Sequence, residues 1–378
     1  MMIISRTPVR VSFCGGGTDV DWFSQSSENG GMVTSLALDR YIHVTVNKRF
    51  DNRIRLSYSK LEIVDNFEEL EHELVRESMR MTGVTSGVEI TTIADIPSRG
   101  TGLGSSSSVT VGLLNALHCF AGRSVSASQL ASEACQIEID ILGQPIGRQD
   151  QYAASYGGIN TIKFSNNGDI LVEPLDISDS IKSRISEEFT LIFTGKSRSA
   201  SSILSNSVSE GKFAIDNLKR IREQADEARY YLNSGQLSKL GTLLNEAWKM
   251  KRGISDSVSD SFLDNMYERI ISTGATGAKL LGAGGGGFFL VHGDTKIREK
   301  LKLEFSSATI RPAAAFRHTA LEKSLSSPLN ILIIFSELNL ASSPSKLLKP
   351  SALIFIPLGS IDISEILLLL ICTTFVVE

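Results

Sequence analysis

The residues whose types and spacing most directly imply chemistry are a glycine-serine run and one carboxylate on a helix. Gly100, Gly102 and Gly104 fall within five positions and are followed by Ser105, Ser106, Ser107 and Ser108. Glycines so placed let the backbone turn tightly and approach a ligand with no Cβ in the way. Val109, Val111, Leu113, Leu114, Leu117 and Phe120 then recur at helical spacing, with Gly122 as a stop. A glycine-rich loop therefore opens onto a helix N-terminus, where free N–H groups and roughly +0.5 of dipole charge favour an anion such as phosphate. The competing reading is a Gly/Ser turn that only caps a helix. No lysine follows the last glycine, so this is not a Walker A loop, and further cations must come from a metal or from arginines.

The carboxylate is Glu138. Ser126 and Gln129 read as a capping box that starts a second helix, running to Leu142 and stopping at Gly143. One turn either side of Glu138 stand Ala134, Cys135, Ile141 and Leu142, so it projects from the face that is buried. A buried carboxylate needs a cation or hydrogen-bond donors; a helix rotated to leave Glu138 at a rim is the alternative. Glu133 and Asp140 point elsewhere and are expected in solvent. Arginine enters at the N-terminus. Residues 2–14 read as a strand interrupted by Pro8, with Arg6 and Arg10 on one face, and end in Cys14-Gly15-Gly16-Gly17-Thr18-Asp19, a turn with polar groups at its tip.

The positioning elements follow in order. Met32-Val33-Thr34, residues 41–46 and residues 54–58 read as successive strands, 66–81 as a helix, and 87–93 as a strand entering the central loop. Residues 159–175 read as a hairpin turning at Asn166-Asn167-Gly168. A new unit begins near Glu188, with a strand over 189–193 and helical patterns over 200–272. Thr194-Gly195-Lys196-Ser197 imitates the end of a Walker A loop, but Thr190 stands where that motif requires glycine. Residues 282–287 match G-x-G-x-x-G formally, but Phe288-Phe289-Leu290-Val291 then reads as a strand where a dinucleotide site needs a helix.

Residues 97–108, with Gly102-Leu103-Gly104-Ser105-Ser106, resemble the second motif of the GHMP kinases, the galactokinase, homoserine kinase, mevalonate kinase and phosphomevalonate kinase superfamily. One more residue separates Pro97 from this core than in mevalonate kinases. Pro8 to Asp19 resembles the first motif in its galactokinase form, although galactokinases carry Glu-His where Gly16-Gly17 stand here. Residues 278–291 resemble the third motif. Together with Gly147-Arg148-Gln149-Asp150-Gln151, the set looks most like the D-glycero-D-manno-heptose 7-phosphate kinases.

The resemblance implies an α+β, two-domain GHMP kinase fold. Its ribosomal protein S5 domain 2-like N-terminal domain would cover 1–185, its ferredoxin-like C-terminal domain 186–305, and a tail of unassigned status 306–378. It implies ATP at Gly102, Leu103, Gly104, Ser105, Ser106, Ser107 and Ser108, and Mg2+ at Ser106 and Glu138. Asp150, twelve residues beyond Glu138, becomes the catalytic carboxylate, with Arg10 beside it as the active-site arginine. Asp19, Gly16, Gly17, Gly284 and Gly285 line the acceptor. The implied reaction is phosphorylation of the anomeric hydroxyl of a heptose that already carries a 7-phosphate. Arg198, Lys251 and Arg252 are candidates for that distal phosphate on charge alone.

Composition bounds these readings. The chain has 378 residues, 42% hydrophobic and 21% charged, enough for two domains. A net charge of −4 and a pI near 5.9 argue against a nucleic-acid partner. Cys14, Cys119, Cys135 and Cys372 show no ligand spacing, so free thiols in a reducing cytoplasm are expected, with no leader peptide and no membrane partner. The rival readings are another GHMP kinase of galactose, fucose or mevalonate type, a non-catalytic ATP-binding regulator, and a dinucleotide oxidoreductase. The tail fits no motif. Its apolar runs at 331–335 and 366–372 are too short to span a bilayer, which takes about 20 apolar residues. A divergent appendage, a membrane-surface element and out-of-frame coding are the readings, with the last favoured.

Overall fold

The first sheet is laid on two long neighbouring strands. In chain order its elements are β1 (Met2–Cys14), β2 (Gly31–Lys48), β3 (Ile54–Ser57), β4 (Leu61–Val64), β5 (Val88–Ala94), β6 (Ile159–Phe164) and β7 (Ile170–Pro174). The associated helices are α1 (Asp21–Ser24), α2 (Glu73–Thr82), α3 (Ser105–Phe120), α4 (Ala127–Cys135), α5 (Gln149–Tyr156) and α6 (Asp179–Glu188). The second unit holds β8 (Phe189–Phe193), α7 (Lys212–Asn233), α8 (Leu237–Arg252), α9 (Ser261–Ser272), β9 (Gly277–Leu280), β10 (Phe288–His292), α10 (Thr295–Glu304) and β11 (Ile310–Pro312). Two further strands are β12 (Asn330–Ile334) and β13 (Ile354–Pro357). The computed structural model describes residues 2–97, 100–197, 212–253, 257–305, 310–312, 330–334 and 354–357.

β1 runs unbroken through Pro8. The register against β2 slips between Pro8 and Arg10, where proline has no N–H to give the ladder, and again between Ser12 and Cys14. The slip sends the two arginines to different partners: Arg6 stacks 3.5 Å over the Tyr41 ring, and Arg10 turns to the central loop. The strands expected at 32–34 and 41–46 are one strand. Residues 35–38 are buried within it; β1 pairs with β2 from Thr34 to Asn47, and on the other edge β6 pairs with 31–36 and β5 with 42–48.

The expected helix at 66–81 is broken. Residues 67–69 form a single tight turn, Leu70 takes an extended conformation to bury its side chain, and only then does α2 begin. The expected capping box at Ser126 is half made: its hydroxyl accepts from the Gln129 N–H at 3.1 Å, but the Gln129 side chain turns forward to Glu133. Glu133 is not free in solvent; it pairs with the buried His118 at 2.7 Å.

The second sheet has the order β11-β8-β10-β9, all antiparallel. β10 is apolar from Phe288 to Val291 because both of its faces are covered. Phe288 and Leu290 join the large core shared with β1, while Phe289 and Val291 join the core built with Trp248, Met266 and Leu301. Phe13 of β1 meets Phe189 of β8 edge to face at 5.6 Å, so the two sheets share packing. Each buried Phe or Leu contributes about 1.5–3 kcal/mol.

The region after 305 is not featureless. β11 closes the second sheet against β8, and β12 pairs with β1 from Met2 to Arg6, with β13 outside it. The apolar run at 366–372 lies outside the described residues.

Candidate functional site

The glycine-serine run does open onto α3. Gly104 is in the left-handed conformation at φ +72°, which turns the chain into the helix; Ser108 makes the first helical N–H bond, back to the Gly104 carbonyl at 3.0 Å. The N–H groups of Ser105, Ser106 and Ser107 thus lie in the turn that has no intrahelical acceptor. Ser106 is exposed there, while Ser105, Ser107 and Ser108 are buried. The loop before them is pinned from both sheets. The Arg10 N–H donates to the Leu103 carbonyl at 3.0 Å, the Arg10 guanidinium to the Gly102 carbonyl at 2.6 Å, and the Phe288 N–H to the Thr101 carbonyl at 3.2 Å.

Arg10 and Asp150, 140 positions apart, form the tightest charged pair of the site. Nε and Nη2 of Arg10 both reach Oδ1 of Asp150, at 2.7 and 2.5 Å. Oδ2 accepts from no described residue and faces Gly104, where an added Cβ would stand 3.2 Å from it. Asp150 lies in the first turn of α5. That turn favours its negative charge through the helix dipole.

Glu138 is fully buried, as its helical neighbours predicted. It sits in a wide π-type turn over Gln136–Ile141 that continues α4; such turns are frequent at functional positions. Four donors surround it. Thr110 reaches Oε1 at 2.8 Å, Ser107 reaches Oε2 at 2.7 Å, the Gln151 amide also donates to Oε2, and Ser106 stands at 3.4 Å, a weak contact. Burial raises the pKa of the carboxyl above the usual range, against the pull of these donors and with the charge of Asp150 adding to the rise. The hydroxyl and carboxylate oxygens of Ser106 and Glu138 are hard ligands side by side, the former at the surface. They suit a cation such as Mg2+, which binds through one or two carboxylates and otherwise through phosphates and water. Among the described residues no group of three His, Cys, Asp or Glu could hold a metal unaided.

Asp19 lies buried at the tip of the triple-glycine turn. It accepts from the Gly17 N–H at 2.9 Å, the Gln149 N–H at 3.0 Å and the Gln149 side-chain amide at 2.9 Å. Burial, then the charge of Asp150, pushes its pKa up. Gly16 lies against Ser12 Oγ and the Gln149 amide, and Gly17 against Leu218. Buried Ser12 Oγ and Gln149 Oε1 have no partner among the described residues.

In the third glycine loop the contacts fall differently from the expectation. Gly284 and Gly285 lean on Val258, with the Gly285 N–H bonded to its carbonyl at 2.9 Å. The glycines that meet the first loop are Gly282 and Gly287, packed on Gly102 and Thr101. Of the three candidate phosphate-binding cations, Arg252 pairs with Asp264 at 3.0 Å, and Arg198 lies outside the described residues. Lys251 donates to the Gly282 carbonyl.

Sequence reasoning missed Gln149, Gln151 and Lys279. Lys279 is buried in a strand and donates to the Ser12 and Phe13 carbonyls at 3.0 and 2.8 Å. Its charge within an otherwise apolar run was the available signal. Cys14, Cys119 and Cys135 are free thiols; Cys372 is outside the described residues. No helix among the described residues is long and apolar enough to cross a membrane.

Known proteins resemble this chain over most of its length. The family described as GHMP kinases N terminal domain matches residues 70–158. The chain is 31% identical over 305 residues to the D-glycero-alpha-D-manno-heptose 7-phosphate kinase of Campylobacter jejuni, a match covering 76% of this chain and 88% of that protein. It is 27% identical over 320 residues to a bifunctional fucokinase/GDP-fucose pyrophosphorylase of Arabidopsis thaliana, covering 75% of this chain and 29% of that longer protein. Among solved structures, a D-glycero-D-manno-heptose 1-phosphate kinase from Bacteroides thetaiotaomicron superposes with a TM-score of 0.68 at 23% identity, covering 82% of this chain and 95% of that one.

Proposed function

Because this chain belongs to the GHMP kinase family, we propose that it transfers the γ-phosphoryl group of ATP to the anomeric hydroxyl of D-glycero-D-manno-heptose 7-phosphate. The product is the 1,7-bisphosphate, an intermediate for nucleotide-heptose and surface-polysaccharide synthesis. That it is an ATP-dependent sugar kinase follows from the family; the acceptor and the residue roles are our reading. The observation that carries it is the Arg10–Asp150 pair set directly under the glycine loop, with Oδ2 of Asp150 accepting from no described residue.

In this reading Gly102 to Ser108 hold the ATP phosphates, with the N–H groups at the start of α3 turned to the anion. Ser106 and Glu138 would hold Mg2+, which when bound neutralises charge on the transferring phosphates. Asp150 orients the acceptor hydroxyl and takes its proton at Oδ2, while Arg10 fixes the carboxylate through Oδ1. Phosphoryl transfer is loose, so placement and electrostatics supply most of the catalysis. Asp19, Gly16 and Gly17 form the acceptor end. Residues 1–185 would be the ATP-binding domain and 186–305 the second domain; the pairing of β11 with β8 supports carrying the latter on to Pro312.

Glu138→Gln is expected to raise the Mg2+ concentration needed for half-maximal rate more than it alters the KM for sugar. A titration that overlays the parent's would leave Glu138 as an anchor between α3 and α5 only. The position of the new ester is read from the product by phosphorus and proton NMR. Coupling of the new phosphate to the anomeric proton is the expected result, and phosphate on any other carbon would overturn the assignment of the acceptor hydroxyl.

A further inference from the structure

Lys251 closes the last turn of α8 and is half-buried. An ammonium group has three donors, and among the described residues this one donates to the Gly282 carbonyl alone. No carboxylate among the described residues pairs with it. The neighbouring cations are differently placed: Arg10 is neutralised by Asp150, and Lys279 is satisfied by two main-chain carbonyls. Burial first, then the charges of Lys279 and Arg10, pushes the Lys251 ammonium down to about 7, with Asp19 pulling the other way. Even a half-buried cation that no described carboxylate neutralises carries a desolvation cost, which an incoming anion would offset.

The place of Lys251 follows from its contacts. Gly282, which it holds, packs on Gly102, and the Gly102 carbonyl receives Arg10, which in turn holds Asp150. Lys251 is therefore one loop away from the catalytic pair, on the second domain's side. The charges that act on it are Lys279, Arg10 and Asp19. Arg10 and Asp19 belong to the first motif and Lys279 is tied to its strand at Ser12 and Phe13, so this is the acceptor end rather than the serine end of the site.

We propose that Lys251 is the cation that recognises the phosphate already carried by the acceptor sugar, and so makes this site selective for a sugar phosphate. This rests on the sugar-kinase reading above and specifies its substrate class. The chemistry, an ammonium meeting a phosphate dianion, would equally suit the γ-phosphate of ATP, and the test separates the two.

The test is steady-state kinetics of Lys251→Gln with heptose 7-phosphate and with the unphosphorylated heptose. The parent's preference for the phosphorylated acceptor, as a ratio of kcat/KM values, is expected to shrink about 10- to 100-fold, the weight of one charge-assisted hydrogen bond. The KM for ATP should stay within about threefold. An unchanged preference would overturn the proposal, and a rise confined to the KM for ATP would move Lys251 to the nucleotide. A calorimetric titration of inorganic phosphate into the ADP-saturated protein is independent of turnover. The parent should bind, and Lys251→Gln should bind at least tenfold more weakly; equal binding would contradict the assignment. If Lys251→Gln does not fold, inorganic phosphate should still inhibit the parent competitively against acceptor and not against ATP, and the reverse pattern would overturn the proposal. A parent that releases no ADP with any sugar, yet binds phosphate through Lys251, would refute the kinase reading and leave the anion site standing.

Discussion

Replacing Asp150 by Asn is expected to leave ATP binding intact while lowering kcat by about 10²-fold or more. The amide is isosteric, so the volume between Arg10 and Gly104 stays filled, but it cannot take a proton at the position of Oδ2. The substitution also removes the counter-charge of Arg10, whose side chain is only 5% exposed. That loss should cost on the order of 2–3 kcal/mol of stability, less than for a fully buried pair, because the Asp150 side chain keeps 24% of its exposure. Nucleotide titration, thermal melting and turnover separate the two effects. A variant that binds ATP, melts slightly lower and retains near-normal kcat would remove Asp150 from the chemistry.

The second large effect is expected where the two glycine loops meet. A Cβ on Gly282 would stand 2.4 Å from Gly102 Cα, at a φ of +74° that L-residues rarely adopt. The atoms it would meet are all main chain of Gly102, so none can rotate away. Gly122 has the same φ, +74°, and open space around its absent Cβ. Gly122→Ala should therefore cost only the left-handed strain, about 1–2 kcal/mol. Gly282→Ala should add roughly 1–3 kcal/mol of overpacking and displace the phosphate loop. Melting of both variants against the parent isolates the collision, and only Gly282→Ala should also lose activity, by at least about tenfold. Equal melting points and equal rates would mean that the loops do not need this close approach.

What the sequence made legible was local. Glycines followed by hydroxyls and a 3.6-residue apolar period are written within twenty positions, and Glu138 among apolar neighbours betrays its own burial. What surrounds Glu138 was not legible. Ser107 and Thr110 come from a helix about thirty positions earlier, and Gln151 from one thirteen later. The π-type turn also shifts the phase of the helix that carries Glu138. Glu133 was misjudged for the same reason, since His118 lies fifteen positions away across a helix–helix contact. The continuity of β2 depended on strands recruited to both its edges, which no local propensity records. β11 lies beyond the last motif, so nothing local tied it to β8.

The central claim, an ATP-dependent kinase selective for a heptose phosphate, is tested most directly by ADP release from the parent protein. The assay compares D-glycero-D-manno-heptose 7-phosphate, galactose, fucose and mevalonate as acceptors, each with and without Mg2+. Mg2+-dependent release with the highest kcat/KM on the heptose 7-phosphate is the expected result; binding of ATP with no release on any acceptor, or a preference for an unphosphorylated one, would contradict it.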